Sequence, residues 1–352
     1  MQKSDYLNLI DRELVSSPWY IQEYYQAKAT VPLSPATLYQ YLTEYRRFFE
    51  WLIQEGVTPV KKYCDVTLET LEHLKKEDIE LYKSYLLNRT KENGRSLSRR
   101  SINRSLNALS SLFKYLTEDT ENSDGEPYFY RNVMRKVHLV RDNETYATRA
   151  ANIKSELMLG TDDHDYLDYI DRTYETTLSP TQMRYFKRDK LRDLAINALL
   201  LGSGIRVSEA ANANVDQLNL KVATLGVTRK GGMRDTVPIA PWTLPFIQAY
   251  MEQRETLYHP QSTEKALFLT TYRGKGSRMT SSSIEKMVSK YSAAFKVRVT
   301  PHKLRHTLAS KLYLATKNEQ LVATQLGQNT TTATGLYTHI IDDEQRKGLD
   351  KM

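Results

Sequence analysis

The stretch SLSRRSINRSLNALSSLFKYLTE, from Ser96 to Glu118, carries Ile102, Leu106, Leu109, Leu112 and Leu116 at steps of three or four residues. On a helix these five side chains share one face, so the segment is expected to bury a continuous stripe against a partner. The same spacing recurs in SPATLYQYLTEYRRFFEWLIQEG, where Leu38, Leu42, Tyr45, Phe49 and Leu52 align. There Ser34 stands as the N-cap, Pro35 as the first helical residue and Gly56 just past the end. KKEDIELYKSYLLNRT supplies a third amphipathic segment. Three one-sided helices in one third of a chain satisfy their burial by packing together, which makes this part a small helical bundle and the fold class mainly α.

The pattern breaks at TENSDGEPYFY, Thr120 to Tyr130, where polar and turn residues replace the periodicity. The expected organisation is a helical domain over 1–135, a mixed connecting segment over 136–175 with KVHLVRDNETYATRA as the linker, and a second domain over 176–352. The second domain opens on KRDKLRDLAINALLLGSG, Lys187 to Gly204, read as a helix ending on glycines. ATLGVTRKGGMRDTVPIA then reads as a β-hairpin, with Leu225 and Val227 on one arm, Val237 and Ile239 on the other, and KGG near the turn. From Trp242 onward the pattern is helical again.

Composition narrows the function classes. The longest apolar run, LAINALLLG from Leu194, is about half of a membrane span. The N-terminal MQKSDYLNLIDREL has charges where a secretory leader has an apolar core. Cys64 is the single cysteine, which excludes a disulfide framework or a cysteine-based zinc site within the chain and suits a reducing cytoplasm. Fifty Lys and Arg against 42 Asp and Glu leave a net charge of +8, which favours a polyanionic partner such as nucleic acid. Arg99, Arg100 and Arg104 cluster at the start of the Ser96 helix, either as a solvated helix end or as phosphate contacts.

The densest chemistry lies in VTPHKLRHTLASKLY, Val299 to Tyr313. Thr300 and Pro301 suit the N-cap and N1 positions of a helix. Leu304, Leu308, Leu312 and Ala315 fall on one face, expected to be core; His302, Arg305, His306 and Ala309 fall on a neighbouring one. A helix N-terminus already attracts anions, and Arg and His placed there make a phosphate seat. A zinc reading fails: Lys303 stands where a metalloprotease helix needs Glu, no third ligand has telling spacing, and Arg305 repels a cation. His306 reads as structural. Elsewhere, LLLGSGIRVSEA places Arg206 after a glycine turn, VTRKGGMR places Lys230 at the hairpin turn, and QLGQNTTTATGLYTHI places Tyr337 behind a short helical stretch.

Taken in order, Arg, Lys, His-x-x-Arg and Tyr resemble the site of the tyrosine recombinases, the phage integrase family, in the boxes SGIRVSEA, HKLRHTLAS and LYTHI. The likeness covers essentially the whole chain. It runs closest to the single-protein Xer type, through PWYIQEYYQAK, GEPYFYRNVM, TRKGGMRD and KVRVTPHKLRHTLA. The resemblance implies a SAM-like core-binding domain and a mostly helical catalytic domain with a small β-sheet, the two clamping DNA. It implies that Tyr337 attacks a phosphodiester and forms a 3′-phosphotyrosine without ATP, metal or cofactor. Arg206 and Arg305 would clamp the transition-state charge, Lys230 would protonate the leaving 5′-oxygen, and His302 would serve in proton transfer and phosphate binding, with Glu209 supporting the arginines from behind. One position departs: the family places His or Trp after LG, and this chain has Gln328, whose amide can donate a hydrogen bond but carries no charge.

The resemblance also implies partners: double-stranded DNA, a homo-tetramer on two sites joined through the C-terminal segment IIDDEQRKGLDKM, and a septal DNA translocase that times the reaction. The expected task is chromosome-dimer resolution during cell division. The rival readings are the integrase of a mobile element, a DNA-binding regulator without strand transfer, and a topoisomerase-like relaxing enzyme.

Overall fold

A computed structural model gives the fold, with residues 3–31, 33–90, 94–141, 146–229, 232–272 and 274–328 described. The chain divides into two compact units, Met1–Asn143 and Glu144–Met352, each with its own core. Both are mostly helical, and no helix among the described residues is long and apolar enough to cross a membrane.

The first unit holds α1 (Lys3–Val15), α2 (Trp19–Ala29), α3 (Pro35–Gln54), α4 (Leu68–His73), α5 (Lys76–Asn88) and α6 (Arg99–Lys114). The Ser34 hydroxyl accepts the Thr37 N–H at 3.1 Å to start α3, and Ser98 caps α6 through the Ser101 N–H at 3.2 Å. The two stripes meet as expected: Ile102, Leu106, Leu109, Leu112 and Leu116 share one core with Leu38, Leu42, Tyr45, Phe49 and Leu52. The core is rich in phenols. Tyr20, Tyr24, Tyr45 and Tyr82 are essentially inaccessible, and Tyr20 and Tyr45 donate their hydroxyls to the carbonyls of Val66 and Ala108 at 2.9 and 3.0 Å. Burial pushes the phenols of both above the usual value of 10.

In the second unit follow α7 (Tyr146–Lys154), α8 (Asp162–Asp168), α9 (Pro180–Ser203) and α10 (Val207–Asn212). Tyr166, Leu167, Ile170 and Tyr174, from the stretch that reads as mixed in sequence, are buried in this unit's core. Helix α9 starts at Pro180, seven residues before the expected Lys187, because Ser179 and Gln182 form a reciprocal capping box. Its first turns are polar and partly exposed, so no apolar period marks them. At its far end Gly204 takes the left-handed conformation, φ 66°, that stops a helix without a Cβ penalty. A Cβ there would come within 2.8 Å of the Leu308 side chain and 3.1 Å of Leu326.

The hairpin is present as β2 (Thr224–Thr228) and β3 (Arg234–Pro238), antiparallel with Leu225 opposite Val237, and β1 (Leu218–Asn219) adds a third strand to give the order β1-β2-β3. Leu225, Val227, Val237 and Ile239 are all buried. After α11 (Leu244–Tyr258) comes a second hairpin, β4 (Leu269–Tyr272) with β5 (Lys275–Arg278), which corrects the helical reading from Trp242 onward. LTTY and KGSR lack apolar alternation. The pair is held through backbone instead: Tyr250 of α11 donates its hydroxyl to the Leu267 carbonyl and accepts the Leu269 N–H.

Helices α12 (Ser281–Phe295), α13 (Pro301–Thr316) and α14 (Glu319–Leu326) complete the described part. The core face expected of α13 is corrected. Leu304 is buried, but Leu308 and Leu312 are only half-buried and Ala315 is exposed, whereas Arg305 and Ala309 are buried. The helix packs against α9, α12 and α14 rather than lying on one surface, so its first three turns are enclosed on several sides. Replacing Gly204 by Ala is expected to lower stability by about 1–3 kcal/mol in denaturant unfolding, from the strained φ and the overlap with Leu308 together.

Candidate active site

Arg206 follows directly on the turn that ends α9 and stands at the N-cap of α10. The Arg206 N–H donates to Glu209 Oε2 and its Nη1 to Glu209 Oε1, both at 2.8 Å, so the carboxylate one turn ahead fixes the side chain. Arg206 keeps about a third of its side chain in solvent, while Glu209 is buried. The support expected from Glu209 is thus a direct pair of hydrogen bonds.

Arg305 lies in the second turn of α13, almost wholly buried. It donates Nη1 to the Gly204 carbonyl and Nη2 to the Leu326 carbonyl, each at 2.6 Å. These bonds bring the end of α9, and so Arg206, beside the end of α14. Gln328 follows the left-handed Gly327 cap of α14, and its N–H donates to the Ala323 carbonyl at 2.9 Å. Gln328 Oε1 is buried and has no hydrogen-bond partner among the described residues. An acceptor left unsatisfied at such a depth is costly in a resting fold.

His302 opens α13 on the exposed side and meets His306 edge to face, with ring centroids 4.4 Å apart. Desolvation, then Arg305, Lys303 and Arg206, push the His302 imidazole below its usual 6.5. Arg305, one turn on from His302, bonds the Gly204 carbonyl two residues before Arg206, and Val207, next after Arg206, lines the same cavity as His302. Beside His302 opens a cavity of about 470 Å³, lined among others by Lys286, Arg298 and Thr300. Lys230 and Tyr337 lie outside the described residues. Arg99, Arg100 and Arg104 belong to the other unit, exposed on the first turns of α6 along a cavity of about 320 Å³ with Tyr41, Asn103 and Asn107.

One residue of this site escapes sequence reading. Arg229, at the end of β2, looks like part of a solvated turn in TRKGG, yet its side chain is only 4% exposed. It donates Nη1 to Glu209 Oε2 at 3.0 Å and Nε to Asp235 Oδ2 at 2.9 Å. Among the described residues no group of three His, Cys, Asp or Glu could hold a metal ion.

His306 gives the pH-dependent expectation. Desolvation first, then the neighbouring His302, Lys303 and Arg305, push its imidazole down to about 3. The folded state binds its proton less readily than the unfolded chain. The stability that neutral His306 contributes is therefore complete above pH 6.5 and is lost as pH falls from 6.5 through about 3. The His306 ring resonances should stay flat on NMR titration from pH 8 to about 4, and His306→Asn should shallow the acid limb of the stability curve.

Residues 175–344 match the phage integrase family, and residues 21–122 match the phage integrase N-terminal SAM-like domain. Tyrosine recombinase XerS of Streptococcus mutans is 52% identical over 356 residues, covering 100% of both chains. The XerS of Streptococcus agalactiae is 51% identical over 358 residues with the same coverage. Among solved structures, XerH recombinase bound to palindromic difH in a post-cleavage complex aligns at TM-score 0.66 and 17% identity, over 94% of this chain and 82% of that one. A lambda integrase dimer bound to a COC′ core site aligns at TM-score 0.57 and 13% identity, over 92% and 95%. At those identities the likeness is one of fold; the full-length relatives carry the assignment. The chain belongs to the phage integrase family of site-specific tyrosine recombinases, in its XerS-type branch, and is an enzyme of DNA strand breakage and rejoining.

Proposed function

We propose that the chain cleaves and rejoins DNA at a specific chromosomal site through Tyr337, and that its cellular task is to resolve chromosome dimers. The observation that carries the site assignment is that Arg305 joins the ends of α9 and α14 at the start of α13, with Arg206 just past the end of α9 and His302 on the cavity that Val207 also lines. Two guanidiniums there suit the non-bridging oxygens of a phosphodiester, whose negative charge grows as the fifth bond to phosphorus forms. The Tyr337 oxygen bonds to phosphorus and the bond from phosphorus to the 5′-oxygen breaks. His302, held neutral near pH 7 by its depressed pKa, takes the phenol proton. Lys230 gives its proton to the departing 5′-oxygen. The reverse steps, with a 5′-hydroxyl from a partner strand, rejoin the DNA. The phosphodiester energy is kept in the tyrosyl bond, so no nucleotide is consumed.

The first unit acts as the core-binding domain, with Arg99, Arg100 and Arg104 of α6 on DNA phosphates, and the second as the catalytic domain. Phosphate contacts of this kind set affinity and its salt dependence, not sequence choice. The working assembly is a tetramer on two DNA sites in the cytoplasm, with a septal DNA translocase setting its timing. Support for a DNA-bound tetramer comes from complexes of similar fold such as the lambda integrase tetramer bound to a Holliday junction.

Gln328 tunes the rate. A neutral amide donates a weaker hydrogen bond to phosphate than a charged imidazolium, so Gln328→His should raise single-turnover cleavage by about ten-fold. An unchanged rate would remove Gln328 from the phosphate site. The reading as a whole is tested by covalent capture. DNA still attached to protein after denaturation is recovered from cells carrying the wild type or Tyr337→Phe, and its ends are sequenced. One enriched locus near the replication terminus, lost in the variant, is expected. A locus at the edge of a mobile element would make the enzyme an integrase, and no attached DNA would end the strand-transfer reading.

A further inference from the structure

We propose that Arg229 is a positioning residue for strand cleavage, a role that rests on the recombinase chemistry above: its buried guanidinium, shared between Glu209 and Asp235 and laid against Gly327, fixes the orientation of Arg206.

The argument starts from Glu209. A carboxylate with 3% of its side chain exposed must be paired where it lies. Oε1 accepts Arg206 Nη1 at 2.8 Å, and Oε2 accepts both the Arg206 N–H at 2.8 Å and Arg229 Nη1 at 3.0 Å. Were Arg206 the sole cation here, Glu209 would hold it with its full charge and compete with a bound phosphate. Arg229 shares that charge from the protein side. The two arginines divide the work by exposure: Arg206 is 36% open, while Arg229 is 4% exposed and faces inward.

The remaining contacts of Arg229 explain why it can act as a fixed point. Nε donates to Asp235 Oδ2 of β3 at 2.9 Å, and Nη2 reaches the Gln325 carbonyl of α14 at 3.4 Å. Across its plane lies Gly327, where a Cβ would come within 2.5 Å of Nε and 2.6 Å of Cζ. A side chain at position 327 would therefore have to displace the Arg229 guanidinium. One planar group thus ties together the hairpin strands, the helix that starts at Arg206 and the end of α14. Its chain neighbour is Lys230, and that of Gly327 is Gln328. A lysine at 229 could keep one ion pair but not the three-way fork.

The test uses the full-length protein and a duplex carrying the locus recovered by covalent capture, with either an ordinary phosphate or a 5′-bridging phosphorothiolate at the scissile position. The sulfur leaves without needing a proton, so that probe is blind to Lys230 and still sensitive to Arg206. Arg229→Lys should bind the duplex with unchanged Kd and cleave roughly 100-fold more slowly, the cost of a misplacement of about 1 Å. The defect should be equal on both substrates. A melting temperature close to that of the wild type, together with the unchanged Kd, is expected and shows that Arg229→Lys is folded. Cleavage by Arg229→Lys at the wild-type rate overturns the proposal. So does recovery on the phosphorothiolate, which moves the defect to Lys230. If the wild type itself leaves no covalent product, the recombinase reading falls and takes this role with it; wild-type cleavage beside an unaffected variant sinks this role alone.

Discussion

The guanidinium of Arg305, 3% exposed, donates one nitrogen to the carbonyl of Gly204 and another to that of Leu326. Each carbonyl lies where a helix stops, at the negative end of its dipole, where a cation gains up to about 2 kcal/mol in a partly buried setting. Both helices stop on a left-handed glycine, Gly204 and Gly327. The chain therefore leaves the ends of α9 and α14 at fixed angles, and Arg206 and Gln328 sit on those exits. One buried cation thereby joins three helices, and the site is made of the places where they begin and end.

A second set of buried charges lies earlier on α9. Arg192 and Asp193, neighbours on α9, pair within the core, with Arg192 Nε to Asp193 Oδ1 at 2.9 Å, and Tyr291 of α12 donates its hydroxyl to Asp193 Oδ2 at 2.7 Å. Arg192 also reaches the Leu269 carbonyl at the start of the second hairpin. Such groups add little net stability beside apolar replacements, but removing one partner leaves an uncompensated charge worth about 3–5 kcal/mol of destabilisation. They specify which surfaces of α9, α12 and the hairpin meet, where leucine on leucine would tolerate several registers.

The parts of this architecture legible in sequence were those with strong period. The stripe from Ile102 to Leu116 and the alternation of Leu225, Val227, Val237 and Ile239 announce a helix and a hairpin, and the structure has both. The second hairpin was not legible, because LTTY and KGSR carry no apolar alternation and depend on the Tyr250 hydroxyl from α11. On α13 periodicity assumes a single buried side, but the helix is packed on several, which exposes Ala315 and buries Arg305. Arg206, the pair His302 and Arg305, and Gln328 come from three separate stretches, and the Arg305 bonds bring the ends of α9 and α14 to the start of α13. Arg229 could not be found that way. Its burial is set by Glu209, Asp235 and Gly327, twenty residues before, six after and ninety-eight after it in the chain, and no local pattern encodes that meeting.

The tyrosines have a consequence beyond packing. The chain holds 24 of them, and phenols such as Tyr20, Tyr45, Tyr166, Tyr250 and Tyr291 are buried as hydrogen-bond donors. Burial raises their pKa, that of Tyr250 to about 12, above the value of 10 in the unfolded chain. Their contribution to stability is complete below pH 10 and is lost as the pH climbs through the raised values. Alkali thus meets a fold whose ceiling is set by its own aromatic interior: the phenolate absorbance of these rings would rise as the cores open, making ionisation and unfolding a single event.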